Sequence, residues 1–228
     1  MDSISIRDID WNNCYFNPGC ALATYKPASA DRLLHLLRRH FGPVRPHNLC
    51  CHHDPQVPEG AVIINNCAGC DRRFRSEYPG VRTISLWELL DTVEDLPLPD
   101  YGGLAVSVQD PCSYRPKPQV HRAVRSLLRK MNLEVIDAAL SGTRSVCCGD
   151  NFYTHLPKEA VVEQQKKRAA QMPCQDVAVY CVSCMKSMAV GGKTPHYLVD
   201  LLFDEPSLPG ETDLDRFHGA LNCYIDAH

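Results

Sequence analysis

The chain has 228 residues, 44% hydrophobic and 22% charged, with a formal charge of -3 at pH 7. That length can bury one large core or two small ones, and the near-neutral balance gives no electrostatic reason to expect nucleic acid or an acidic membrane as partner. No apolar run approaches a membrane span, and the opening MDSISIRDIDWNNC carries acids rather than the apolar stretch of a signal peptide, so a cytoplasmic location is expected.

Taken in chain order, the elements are punctuated by cysteine, of which there are thirteen. After Cys14 comes "NPGCALATYKP" with Cys20, then a helical pattern over about 31–41 ending in "LLHLLRRHF". The vicinal pair Cys50-Cys51 follows, trailed by His52 and His53 in a stretch broken by Pro43, Pro46, Pro55 and Pro58. "AVIINNC" reads as a buried strand leading into Cys67. Cys70 completes a C-x-x-C, and "CDRRFR" sets Arg72, Arg73 and Arg75 beyond it at an expected helix start, more simply a solvated basic face than an anion site. "ISLWELLD" is a short helix, and the Pro-rich "EDLPLPDYGG" is a linker.

Another strand, "LAVSVQDPC", then runs into Cys112, and a helix is expected over about 119–131. The second vicinal pair, Cys147-Cys148, lies in "SVCCGDNFY". A further helix is expected over about 157–172, where "LPKEAVVEQQKKRAAQM" has Pro near its start and strong helix formers throughout. "DVAVYC" is a third strand entering Cys181, which with Cys184 forms the second C-x-x-C, and "YLVDLLF" is a short helix. "GGK" at 191–193 lacks the preceding spaced glycine of a phosphate loop.

The chain is thus written twice. Each half has a single cysteine, a vicinal pair and a C-x-x-C in that order, with matching apolar phrases around them, which marks a duplication. The halves differ in one interval: 32 residues separate Cys148 from Cys181, but 15 separate Cys51 from Cys67, so the first half lacks a helix. Strands alternating with helices give an α/β fold, expected as two small pseudo-repeated lobes with short parallel sheets. Residues 1–95 form the shortened first repeat, 96–103 the linker, 104–205 the second repeat and 206–228 a C-terminal tail. Sites in such sheets lie beyond the strand C-terminal ends, where helix N-termini favour thiolate.

In a reducing cytosol this many cysteines point to metal or redox chemistry before disulfides. Zinc is the simplest metal, since paired C-x-x-C motifs often hold it. Vicinal cysteines suit zinc poorly, because consecutive side chains diverge, and five thiols exceed what one tetrahedral ion accepts. A multi-iron cluster offers a wider target. Cys14, Cys174 and Cys223 stand outside the repeat. Cys14 is near enough in sequence to join a first-half site, and His52 or His53 could replace a thiol ligand.

The pattern C…CCG…C-x-x-C, complete in "DPC", "VCCGD" and "YCVSC", resembles the cysteine-rich CCG domain family typified by the B subunit of heterodisulfide reductase. In the first half "NPGCAL" fits the family, while "LCCHHD" has His52 where the family has glycine. The resemblance implies a non-cubane 4Fe–4S cluster held by Cys112, Cys147, Cys148, Cys181 and Cys184, and a second held by Cys20, Cys50, Cys51, Cys67 and Cys70. Zinc is the alternative in the first half. It also implies an oxidoreductase subunit that reduces a small disulfide or relays electrons. Since no dinucleotide fingerprint is present, the electrons are expected from a flavin or ferredoxin-like protein. The reading from another class is a non-catalytic metal-binding module or redox sensor.

Overall fold

The computed structural model describes residues 4–228. Its contacts divide the chain into two units, one of residues up to Glu94 together with Ala220–His228, the other of Asp95–Gly219. Each unit is α/β with its own parallel sheet, as the alternation of strand and helix patterns leads one to expect.

In the first unit β1 (Cys14–Asn17), β2 (Arg45–Pro46), β3 (Val62–Asn65) and β4 (Arg82–Ser85) lie in the order β2-β1-β3-β4. In the second, β5 (Ala105–Gln109), β6 (Glu134–Val135), β7 (Asp176–Val179) and β8 (Thr194–Tyr197) repeat that order as β6-β5-β7-β8. All the pairings are parallel, and the strand ends are in step: Asn17 pairs with Asn65 and Asn65 with Ser85, while Gln109 pairs with Val179 and Val179 with Tyr197. This common finishing edge makes one rim for whatever follows each strand.

Local sequence explains the helices. Pro27 and Pro118 sit in the first turns of α2 (Pro27–Phe41) and α5 (Pro118–Lys130), where a missing N–H costs nothing. Pro27 therefore starts its helix a turn earlier than the apolar pattern suggests. Leu33 and Leu37 of α2, and Val120, Val124, Leu127 and Leu128 of α5, form the buried stripes. Ser85 and Glu88 make a reciprocal capping box at the start of α4 (Leu86–Asp91), the kind of closure that satisfies two orphan N–H groups at once. Its counterpart is α8 (Leu198–Leu202). Val62, Ile63 and Ile64 of β3 are buried on both faces of the first sheet, each contributing roughly 1.5–3 kcal/mol by leaving water.

Of the five further helices among the described residues, four are α1 (Cys20–Tyr25), α3 (Ala68–Glu77), α7 (Val182–Val190) and α9 (Leu214–Ala227). Between β6 and β7 the second unit carries α6 (Lys158–Ala169). Among the described residues no helix lies between Cys51 and Cys67, so the short interval in the first half is a missing element. No helix among the described residues is long and apolar enough to cross a membrane.

Candidate metal centre

Each single cysteine and each C-x-x-C sits just past a strand end. Cys20 opens α1 three residues after β1, and Cys112 opens a 3-10 turn three residues after β5. Cys67 and Cys181 are the N-cap residues of α3 and α7, each placed against free backbone N–H groups. Cys70 and Cys184 are buried one turn further on. Gly19 makes this packing possible, because at its φ of 77° a Cβ would lie 2.8 Å from the Cβ of Cys67 and 3.5 Å from Cys70 Sγ. The vicinal pairs lie on the loops that follow the edge strands β2 and β6.

The thiols join in the same order in both units. In the first, interactions run from Cys20 to Cys50, Cys50 to Cys51, Cys51 to Cys70 and Cys70 to Cys67. In the second they run from Cys112 to Cys147, Cys147 to Cys148, Cys148 to Cys184 and Cys184 to Cys181. All thirteen cysteines are free thiols. Charge interactions also link Cys20 with Cys67 and Cys112 with Cys181, so the two ends of each quintet interact as well, although among the described residues no three His, Cys, Asp or Glu side chains are gathered so as to grip one metal ion. In the first unit Cys20, Cys51, Cys67 and Cys70 line a cavity of about 330 Å³, together with His52 and Arg72.

Within each string one thiol is the acceptor for its neighbours. Cys50 is pulled down to about 2 by donation from Cys20 and then Cys51, and Cys147 likewise to about 2 by Cys112 and then Cys148. The donors Cys20 and Cys112 move up for the same reason, with burial adding to the effect. Cys67 is lowered to about 7 by Cys70, against burial and with help from the N–H groups of Cys70 and Gly69. Cys148 and Cys184 are pushed up by their thiol partners and by burial. The leading member of each vicinal pair is thus the natural thiolate.

Polar residues at the strand ends hold the loops that carry the pairs. Asn17 Nδ2 donates to the Leu49 carbonyl at 3.0 Å and meets His47 Nδ1 at 2.9 Å, fixing the approach to Cys50. Gln109 Nε2 donates to the Val146 carbonyl at 3.3 Å, and Arg115 Nε to the Ser145 carbonyl at 2.5 Å, fixing the approach to Cys147. Buried Asp110 gathers Tyr180 Oη at 2.6 Å, the Gly142 N–H at 2.6 Å, Arg125 Nη2 at 2.9 Å and His121 Nδ1 at 3.1 Å. It ties the residue before Cys181 to the loop before Cys147. Burial raises the Asp110 carboxyl, but bonds from His121 and Arg125 outweigh that and hold it well below the usual carboxylate range.

Around the second pair the Gly149 N–H donates to Cys147 Sγ at 3.4 Å and Ser187 Oγ to Cys148 Sγ at 3.3 Å, with Gln165 Nε2 behind Ser187 at 3.2 Å. Around the first pair the Cys50 N–H donates to the His228 carbonyl at 3.1 Å, and His53 Nε2 meets the Ile225 carbonyl at 2.9 Å. His53 is thereby engaged with backbone, whereas His52 faces the thiol cavity.

Cys14 begins β1, at the end of the strand away from the site, and burial raises its thiol to about 12, with Asp10 adding to the shift. It does not join the string. Cys174 holds Ser107 through its backbone and Cys223 is exposed. Arg75 is paired with Asp71 at 3.0 Å and Arg73 with Glu77 at 3.2 Å. Arg168 Nε donates to Gln109 Oε1 at 2.6 Å behind the loop of the second pair. Asn17, Asp110, Gln165, Arg168 and Ser187 do not stand out in the sequence. The only signal for the first two was a polar residue interrupting an apolar run just before a cysteine.

Residues 106–189 match the family model of a cysteine-rich domain, CCG, a span that contains Cys112, Cys147, Cys148, Cys181 and Cys184. No curated protein matches the chain. A cysteine-rich domain of this kind suits metal or iron–sulfur binding.

Proposed function

We propose, from the cysteine-rich CCG domain at residues 106–189, that the chain is an iron–sulfur oxidoreductase subunit resembling the B subunit of heterodisulfide reductase. Cys112, Cys147, Cys148, Cys181 and Cys184 hold a non-cubane 4Fe–4S cluster, and Cys20, Cys50, Cys51, Cys67 and Cys70 hold a second. The observation that carries this reading is the shared order of five thiols in two separately built units. Five thiols in each unit exceed what one tetrahedral ion accepts, which suits a target several metals wide. When bound, such a cluster supplies one-electron steps and iron that can accept sulfur, the chemistry of disulfide reduction or electron relay.

The chain's own residues do the rest. The strand-end amides hold the two loops in place, and Gly149 and Ser187 donate hydrogen bonds to the ligand sulfurs. Such bonds to sulfur tune reduction potential. A flavin or ferredoxin-like protein supplies the electrons, a small thiol or disulfide is the substrate, and the cytoplasm is the setting.

A second reading applies to the first unit alone. His52 lines the cavity with four thiols; these side chains are not gathered about one point, but imidazole and thiolate are the donor types zinc takes when it draws them together. Anaerobic purification followed by iron, sulfide and zinc analysis separates the two. Several irons per chain with matching sulfide are expected, stoichiometric zinc beside a single cluster assigns zinc to the first unit, and zinc without sulfide overturns the proposal.

A further inference from the structure

The helices α3 and α7 hold corresponding places in the two units, each starting on a C-x-x-C. What stands three and seven residues beyond the second cysteine of that motif differs. After Cys184 these positions are Ser187 and Gly191, and both pack on α6. Gln165 Nε2 donates to Ser187 Oγ at 3.2 Å, and Gly191 closes directly on Ala169. After Cys70 the same positions are Arg73 and Glu77, in a unit whose described residues have no helix between Cys51 and Cys67. The seat that α6 fills in one unit is a charged opening in the other.

Arg72, Arg73, Ser76 and Glu77 line the same cavity as the four first-unit thiols. Residues three and four apart share a helix face, and helical side chains lean toward the N-terminus, so this face of α3 slopes back to Cys70. Arg73 lies only about 4.5 Å along the helix axis from Cys70, a reach that suits a sulfur and a charged group a few bonds apart. Among the described residues Arg72 is exposed and has no hydrogen-bond or ion-pair partner. Arg73 Nε is buried and stands 3.2 Å from Glu77 Oε2 without making a hydrogen bond. Two guanidiniums against one carboxylate leave this end of the cavity positive. Its volume of about 330 Å³ is at the low end of the roughly 300–1,000 Å³ of small-molecule sites, and any metal group on the thiols takes part of that space.

We propose that this cavity recognises a small thiol carrying a carboxylate, with its sulfur toward the four thiols and its carboxylate on Arg72 and Arg73. This names the substrate class of the first-unit site and rests on the iron–sulfur reading above. Thiolates gather negative charge at the closed end, which would repel an anion; the two guanidiniums offset it. A planar guanidinium also takes a carboxylate through two parallel hydrogen bonds. A hydroxyl in place of the carboxylate forgoes the charge, and an ammonium meets like charge.

The test titrates the full chain, purified anaerobically, with mercaptopropionate, mercaptoethanol and cysteamine by calorimetry. With iron and sulfide present, mercaptopropionate is expected to bind about tenfold more tightly than mercaptoethanol, and cysteamine most weakly. In the double variant Arg72→Gln, Arg73→Gln that preference is expected to vanish while mercaptoethanol binds as before. Equal binding of the three thiols by the parent, no binding, or a preference that survives the double variant overturns the proposal. Equal weakening of all three thiols in the variant does so too, since that is a general effect of charge on the site. A parent chain free of iron and sulfide sinks the iron–sulfur reading instead. The preference for an anion is then read from alkylation of Cys20, Cys51, Cys67 and Cys70 by iodoacetate against iodoacetamide, quantified by mass spectrometry. A ratio that falls in the double variant supports it, and an unchanged ratio overturns it.

Discussion

Gly149 and His52 follow the two vicinal pairs, and the difference between them is steric. Gly149 has φ of 110°, and a Cβ there would lie 2.7 Å from Gln165 Cγ and 2.8 Å from the Gln165 nitrogen. Any side chain would meet α6 while straining the backbone. His52 has no α6 above it and no left-handed conformation to adopt. Gly149→Ala is expected to cost on the order of 2–4 kcal/mol, and His52→Gly less than about 1 kcal/mol, both measured by denaturant unfolding. Asp110 supports a pH prediction. Its carboxyl is lowered in the folded state, so its stabilisation is present above the unfolded value near 4 and is lost as pH falls through the lower folded one. Asp110→Asn should therefore cost roughly 3 kcal/mol at pH 7, and its gap to the parent chain should narrow steadily below pH 4. The ten repeat cysteines could be read from spacing alone. Arg168 and Asp110 could not, because Gln109 and Tyr180, which give them meaning, lie 59 and 70 positions away.

The element that distinguishes the units is α6, and its seat is unusually close. A Cβ at Gly191 would lie 2.1 Å from that of Ala169, so Gly191 allows the end of α7 to touch α6. Gly191→Ala should push the helices apart at a cost of about 1–3 kcal/mol. Because α6 carries Gln165 and Arg168, the variant should also retain less iron in the second unit, a loss that metal analysis after gel filtration would register. Apolar runs ending in cysteine revealed β3, β5 and β7, and Pro with strong helix formers revealed α6. The two-residue strands β2 and β6 carry no period to detect. The helices α3 and α7 begin on the cysteines themselves; a helix start is expected at "CDRRFR", whereas α7 is buried over most of its length and so shows no amphipathic stripe. The C-terminal stretch, expected as a tail, is largely helical, but α9 buries only Leu214 and Phe217, too few to announce a stripe.

Each quintet of thiols is drawn from within one unit. Cys148→Ser should accordingly strip iron from the second unit and leave the first loaded, halving iron and sulfide per chain. Unchanged metal content would show that the ligand set is wrong. Because ligands that bind only the folded state stabilise it, anaerobic removal of iron by a chelator should lower the melting temperature of the whole chain, as followed by circular dichroism. The contact between Gly149 and Gln165 also bears on descent. If both lobes come from one duplicated ancestor that possessed the extra helix, a histidine could not have replaced the glycine while that helix was still in place. The excision must then have come first and the substitution second. A relative with a full-length opening repeat and a bulky residue after its first vicinal pair would contradict that chronology.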